Sequence, residues 1–208
     1  MQVSPKMPKT EFPVSIRSRP VYGQWQLRPG SAHLMLADGA GAGAVTDLAA
    51  RERGLMARAH VIYVTGRDGA GWAEPLAALK PAQFFTSPTY QAALPRLRKV
   101  LADAHMGLQV YLSGTEGLIG QGQNEAMVAG IPYTAIQTEH RGSLARRVQC
   151  VHCKGITDEV RTDPFQCSHC GLHLFVRDHY SRRIAAFQGV NIDAETPGSV
   201  PAPLERFP

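Results

Sequence analysis

The chain has 208 residues, 44% of them hydrophobic and 19% charged, with a net charge of +5. This is enough chain to bury the core of one large domain or two small ones, and the balance excludes a disordered or fibrous protein. No apolar run approaches the ~20 residues that span a bilayer, and the basic, proline-rich start lacks the apolar stretch of a secretory signal, so the sequence reads as a soluble cytoplasmic protein.

Residues 1–30 read as an extended arm laid along a surface. Four short apolar runs follow, at 33–37 (HLMLA), 61–65 (VIYVT), 83–86 (QFFT) and 108–113 (LQVYLS). Each is rich in β-branched or aromatic residues and bounded by Gly, Pro or Ser, which predicts buried strands. Helices are predicted at 45–59, 72–79, 89–105 and 118–129, the last ended by Gly130, and a fifth strand at 133–137. Alternating strands and helices imply right-handed βαβ units and a parallel sheet covered on both faces. The expected fold class is therefore α/β, with a small doubly wound parallel sheet over residues 31–144. A metal-organised module at 145–195 and an extended, proline-rich tail at 196–208 complete the expected organisation.

Two glycine turns lie on the carboxyl edge of that sheet. Gly39, Gly41 and Gly43 follow the first strand and open a helix, and Gly114 and Thr115 follow the fourth strand. Glycine lets backbone approach a phosphate at a helix N-terminus, so both turns are candidate nucleotide loops; the alternative is a plain strand-to-helix turn that binds nothing.

All four cysteines fall in one stretch, as Cys150-Val-His-Cys153 and Cys167-Ser-His-Cys170. In a reducing compartment such a cluster predicts metal binding rather than disulfides. Each two-residue gap forms a knuckle that points two thiolates at one ion, with Gly155 and Gly171 expected at the sharp returns. Strand pieces at 147–149 with 156–160, and at 165–166 with 172–176, give two hairpins, the pattern of a zinc ribbon. Four thiolates suit a closed, structural Zn²⁺ site or a single iron as in rubredoxin-like electron carriers. His152 and His169, inside the knuckles, are expected to point outward.

Basic residues are concentrated late: Arg141, Arg146, Arg147, Lys154, Arg161, Arg177, Arg182 and Arg183, against Asp158, Glu159, Asp163 and Asp178. Such a patch can meet an acidic partner, an anionic cofactor or nucleic acid, or be a solvated face. The modest charge and the lack of interleaved aromatic residues disfavour a nucleic-acid-binding zinc ribbon.

The order strand, glycine turn, helix, then VYLSGTEGLI and IPYTAIQTE resembles the pyridine-nucleotide domain of ferredoxin reductases. That resemblance implies a nicotinamide beside Ser113, Gly114 and Thr115, with Glu139 ending the sheet. Ser113 and Thr115 depart from the family's Cys-Gly-Pro turn, which is consistent with a domain that keeps the shape and has lost the nucleotide. The segment CSHCGLHLFVRDHYSRRIAAFQGVNIDAE (residues 167–195) resembles the small, DmmA-like subunit of bacterial dimethylamine monooxygenase. This resemblance implies a noncatalytic subunit of a complex that oxidises dimethylamine to methylamine and formaldehyde with NADPH and O₂. The implied partners are a haem-containing catalytic subunit, an iron–sulfur flavin reductase and a folate-dependent, aminomethyltransferase-like subunit. Arg177, Asp178, His179, Tyr180, Arg182 and Arg183 are the expected contact patch. A rubredoxin-like electron-transfer subunit of the same kind of oxygenase is the alternative reading.

Overall fold

A computed structural model describes residues 18–66 and 70–208, so most of the predicted arm lies outside the described residues. Strand β1 (Ala32–Asp38) passes through a 3₁₀ turn (Gly39–Gly41) into helix α1 (Ala42–Arg51). A second 3₁₀ turn (Leu55–Arg58) leads to β2 (Ala59–Val64), followed by α2 (Ala73–Ala78) and β3 (Gln83–Ser87). Then come α3 (Tyr90–Ala102), β4 (Leu108–Gly114), α4 (Glu116–Val128) and β5 (Ile136–His140). These five strands form one parallel sheet in the order β3-β2-β1-β4-β5.

Alternation along the strands serves two cores, which is why the apolar runs looked continuous. Leu34, Leu36, Ile62, Val64, Val110 and Leu112 face α3 and α4. Met35, Ala37, Val61, Tyr63 and Tyr111 face α1 and α2.

Several predicted boundaries move. Helix α1 begins at Ala42 rather than 45, because the glycine turn is itself helical, and it stops at Arg51, before Gly54 adopts φ 78°. The fifth strand starts at Ile136 rather than 133, because Pro132 leads into a 3₁₀ turn at Tyr133–Ala135.

The described end of the arm is part of the core rather than a surface strap. Trp25 is fully buried and edge-on to Tyr111, with its indole Nε1 donating to the Leu112 carbonyl at 3.2 Å. Gly23 N–H donates to the Thr138 carbonyl, and Gln26 and Gln137 exchange two hydrogen bonds, so the segment runs beside β5.

The rest of the chain builds a second sheet. Its strands are β6 (Arg146–Cys150), β7 (Ile156–Val160), β9 (Phe165–Gln166), β10 (His173–Ser181) and β11 (Ala186–Asn191), and β8 (Thr162–Asp163) and β12 (Leu204–Glu205) form a separate two-stranded sheet. The order β7-β6-β11-β10-β9 contains both predicted hairpins, with the unpredicted β11 inserted between them, parallel to β6 and antiparallel to β10. The tail is tied back where β12 pairs with β8.

The two sheets meet at helix α4. Tyr180 of β10 and Ala185 lie where a Cβ on Gly120 would stand. Arg182 stacks on the Tyr133 ring at 4.4 Å. Buried Arg146 sits between Phe187 and Phe207 and donates to Asp178 at 2.9 Å, while Ser18 Oγ donates to the Asp178 carbonyl.

Candidate metal centre and glycine loops

The two knuckles are built alike. In the first, the Cys150 N–H donates to the Gly155 carbonyl and the Lys154 N–H to the Cys150 carbonyl; in the second, Cys167 and Leu172, and Gly171 and Cys167, repeat the pattern. The residue that reverses the chain is therefore Lys154 in one knuckle (φ 63°) and Gly171 in the other (φ 76°). Gly155, expected at that bend, is a glycine for another reason: the His169 ring occupies the place of its Cβ. His169 reaches across to the Ile156 carbonyl at 2.9 Å, and Ser168 N–H donates to Thr157 Oγ1 at 3.2 Å. His169 is solvent-exposed as expected, yet it braces one hairpin against the other.

The sulfurs of Cys150, Cys153, Cys167 and Cys170 all lie within 4.8 Å of one another. A tetrahedral ion with metal–sulfur bonds of about 2.3 Å has sulfur–sulfur edges of about 3.8 Å. Cys150–Cys170 and Cys153–Cys167 are separated by 3.9 and 3.8 Å. The four donors thus fit one tetrahedral ion. Cys150 and Cys167 are buried and the other two are nearer solvent. Burial opposes ionisation of Cys167, but the Cys170 and His169 amides prevail and bring its pKa down to about 6. The Leu172 amide favours a thiolate at Cys170, yet the three neighbouring sulfurs push it up to about 12. Four thiolates this close repel one another, and a cation at their centre removes that repulsion.

Gly39 faces open space with φ 44°, but the other three candidate glycines are closed from within. A Cβ on Gly41 would meet the Ser113 carbonyl, one on Gly43 the Arg141 guanidinium, and one on Gly114 the Asp38 carboxylate. Asp38 accepts from the Thr115 amide at 2.7 Å and from its hydroxyl at 2.6 Å. Burial pushes the Asp38 pKa up despite these bonds. Arg141 donates through Nε to Glu139 at 2.7 Å and through Nη2 to Asp47 at 2.6 Å, and Glu139 also accepts the Trp25 N–H at 2.8 Å. Nothing in the spacing of these residues announced this network; only the strand order brings them together.

A family model for the N-terminal domain of the dimethylamine monooxygenase subunit DmmA-like family matches residues 14–136, more than half of the chain, and its C-terminal counterpart matches residues 147–190. The chain belongs to the DmmA-like family. It is 34% identical over 101 residues to the heme-dependent oxidative N-demethylase delta subunit of Ectopseudomonas mendocina (strain ymp), a match covering 49% of this chain and 58% of that subunit's length. Among solved structures it is similar to the flavohemoglobin of Malassezia yamatoensis with bound FAD and heme (TM-score 0.40, 15% identity, 56% of this chain and 33% of that one). It is also similar to full-length CYP116B46 from Tepidiphilus thermophilus (TM-score 0.41, 16% identity, 64% of this chain and 19% of that one). Neither structural likeness carries weight for function.

Within this family member, the VRDHYSRR stretch differs from the expected contact patch. Tyr180 is buried, Asp178 pairs with Arg146 and Arg19, and Arg182 lies on Tyr133, so half of the patch is engaged in contacts within the chain itself. His179 and Arg183 remain exposed. Much of the late basic charge is likewise consumed: Arg141 by Glu139 and Asp47, Arg147 by Asp158, Arg161 by Glu159. Among the described residues, no helix is long and apolar enough to cross a membrane.

Proposed function

We propose that this chain is an accessory subunit of a haem-dependent oxidative N-demethylase, and that its four thiols hold one zinc ion. The observation that carries the reading is the similarity to the delta subunit of such an enzyme, supported by a C-terminal family match that spans both knuckles. The reaction we assign to the whole complex is oxidation of dimethylamine to methylamine and formaldehyde with NADPH and O₂. Its other members, on this reading, are a haem-containing catalytic subunit, an iron–sulfur flavin reductase and a folate-dependent, aminomethyltransferase-like subunit.

The role of this chain is positional. Zinc, when bound, supplies a redox-silent crosslink with no open coordination position. Cys150, Cys153, Cys167 and Cys170 would hold it. The His169–Ile156 and Ser168–Thr157 bonds align the two hairpins around the thiols. Tyr180 and Arg182 fix the ribbon to helix α4 and Tyr133, so the exposed end of the ribbon keeps one orientation to the α/β sheet when partners dock. The domain limits we assign are 31–144 for the α/β part and 145–195 for the ribbon.

Affinity purification of the tagged chain from its native cells tests this reading. We expect the haem subunit and the flavin reductase to copurify, with one zinc per chain. A chain recovered without either subunit refutes the assembly role. Iron and a visible thiolate-to-metal absorption band in place of zinc would convert the brace into an electron carrier.

A further inference from the structure

Open α/β sheets place ligands where the strand order reverses, here between β1 and β4. A dinucleotide at that point needs an open glycine turn and free amides at a helix start. The residues present do not fit that group. Gly41 is closed by the Ser113 carbonyl and Gly43 by Arg141. The anion seat at the start of α4 already holds an anion of the chain's own, the Asp38 carboxylate on the Thr115 amide and hydroxyl. Ser113, the residue the ferredoxin-reductase resemblance sets beside a nicotinamide, is fully buried. A diphosphate arriving here would also face two carboxylates, Asp38 and Glu139.

We propose that this crevice binds no pyridine nucleotide and has become a clasp that fastens the N-terminal segment and the linker between the sheets to the α/β core. Five parts of the chain converge on it. Glu139 at the end of β5 accepts the Trp25 N–H through one oxygen and Arg141 Nε through the other. Arg141, at the start of the linker, extends to Asp47 on α1. Tyr22, three residues before Trp25, donates its hydroxyl to Glu116 in the first turn of α4 at 2.9 Å. Gly43 and Gly114 admit the Arg141 and Asp38 side chains, a use of close approach that needs no ligand. If the N-demethylase reading holds, NADPH is consumed on another subunit; the clasp itself does not depend on that reading.

The test uses the full-length chain. NADPH is titrated in by calorimetry, and hydrogen–deuterium exchange is compared between wild type and Glu139→Ala. We expect no saturable heat up to about 1 mM NADPH, a range that includes ordinary cofactor affinities. In Glu139→Ala we expect at least roughly tenfold faster exchange at Gly23 and Trp25, with the amides of β1 and β2 unchanged. Saturable one-to-one binding of NADPH overturns the proposal, whatever subunits the chain assembles with. Unchanged protection at Gly23 and Trp25 also overturns it. Should Glu139→Ala fail to fold, Arg141→Ala removes the other half of the clasp from a more exposed position and is read in the same way.

Discussion

Tyr180 of strand β10 lies against Gly120 of helix α4 so closely that a methyl group on the glycine would overlap the phenol ring and the Ala185 side chain. The second sheet is docked to the first through this contact. In an isolated helix Gly→Ala stabilises by roughly 0.5–1 kcal/mol. Here we predict the reverse. Gly120→Ala should cost about 1–3 kcal/mol, as overpacking does. Tyr180→Phe, which removes the nearest overlapping atom, should recover part of the loss. Urea denaturation of the two single variants and the double variant checks this.

The knuckles make a paired prediction. Lys154 holds φ 63° where its counterpart is Gly171, and a non-glycine residue there costs about 1–2 kcal/mol. Lys154→Gly should therefore be tolerated or stabilising by up to about 1 kcal/mol, the gain being reduced by the entropy of an added glycine in the unfolded chain. Gly155→Ala should displace the His169 ring and weaken metal retention. Competition with a chromophoric chelator, run on both variants, should rank Gly155→Ala well below wild type and Lys154→Gly beside it.

Serine at any one of the four cysteine positions should abolish stoichiometric metal binding, because binding free energy and folding free energy of such a module are the same quantity. Exchange protection should collapse in β6, β7, β9 and β10 and persist in β1 to β5, whose cores contain none of these residues. Chelation of the wild-type chain should give the same regional pattern, and re-addition of zinc should reverse it.

Trp25 brings the largest fully buried side chain to the core from a segment without regular secondary structure. Trp25→Ala should cost about 3–5 kcal/mol, the range for deleting a buried aromatic residue, and Trp25→Phe markedly less. Thermal melts of the two variants decide it.

Two buried groups set opposite pH dependences. Burial, with Arg58 nearby, lowers the pKa of His33 below its usual 6.5. Its contribution is present above 6.5 and lost as pH falls from there toward the depressed folded value. Burial raises the pKa of Asp38 above 3.8, so its contribution is present below 3.8 and lost as pH rises through the folded value. Asp38→Asn, which keeps an acceptor for the Thr115 amide and cannot ionise, should be at least as stable as wild type at pH 7. His33→Asn should flatten the acid limb below pH 6.5. Denaturation midpoints across pH 4–8 measure both.

The sheet was legible because parallel strands covered on both faces leave uninterrupted runs such as HLMLA and VIYVT, and the metal donors were legible because thiol spacing encodes a knuckle. Strand β11 was not. Its residues, AFQGVN, carry a central Gly189 that weakens any strand pattern, and that glycine is required because Val148 and Leu174 press in from the two neighbouring strands. The clasp was illegible for a different reason. Trp25, Asp47 and the neighbouring pair Glu139 and Arg141 lie far apart in sequence and meet only through the order of the strands. The glycine turn suggested a phosphate because sequence shows which backbone can be approached, but not what approaches it.

Assembly is tested by size-exclusion chromatography of the tagged chain purified from its native cells, with haem absorbance and zinc content read on the same peak. We expect a single large species containing both haem and zinc, with one zinc for each copy of this chain. A small, zinc-loaded species eluting without haem would contradict it.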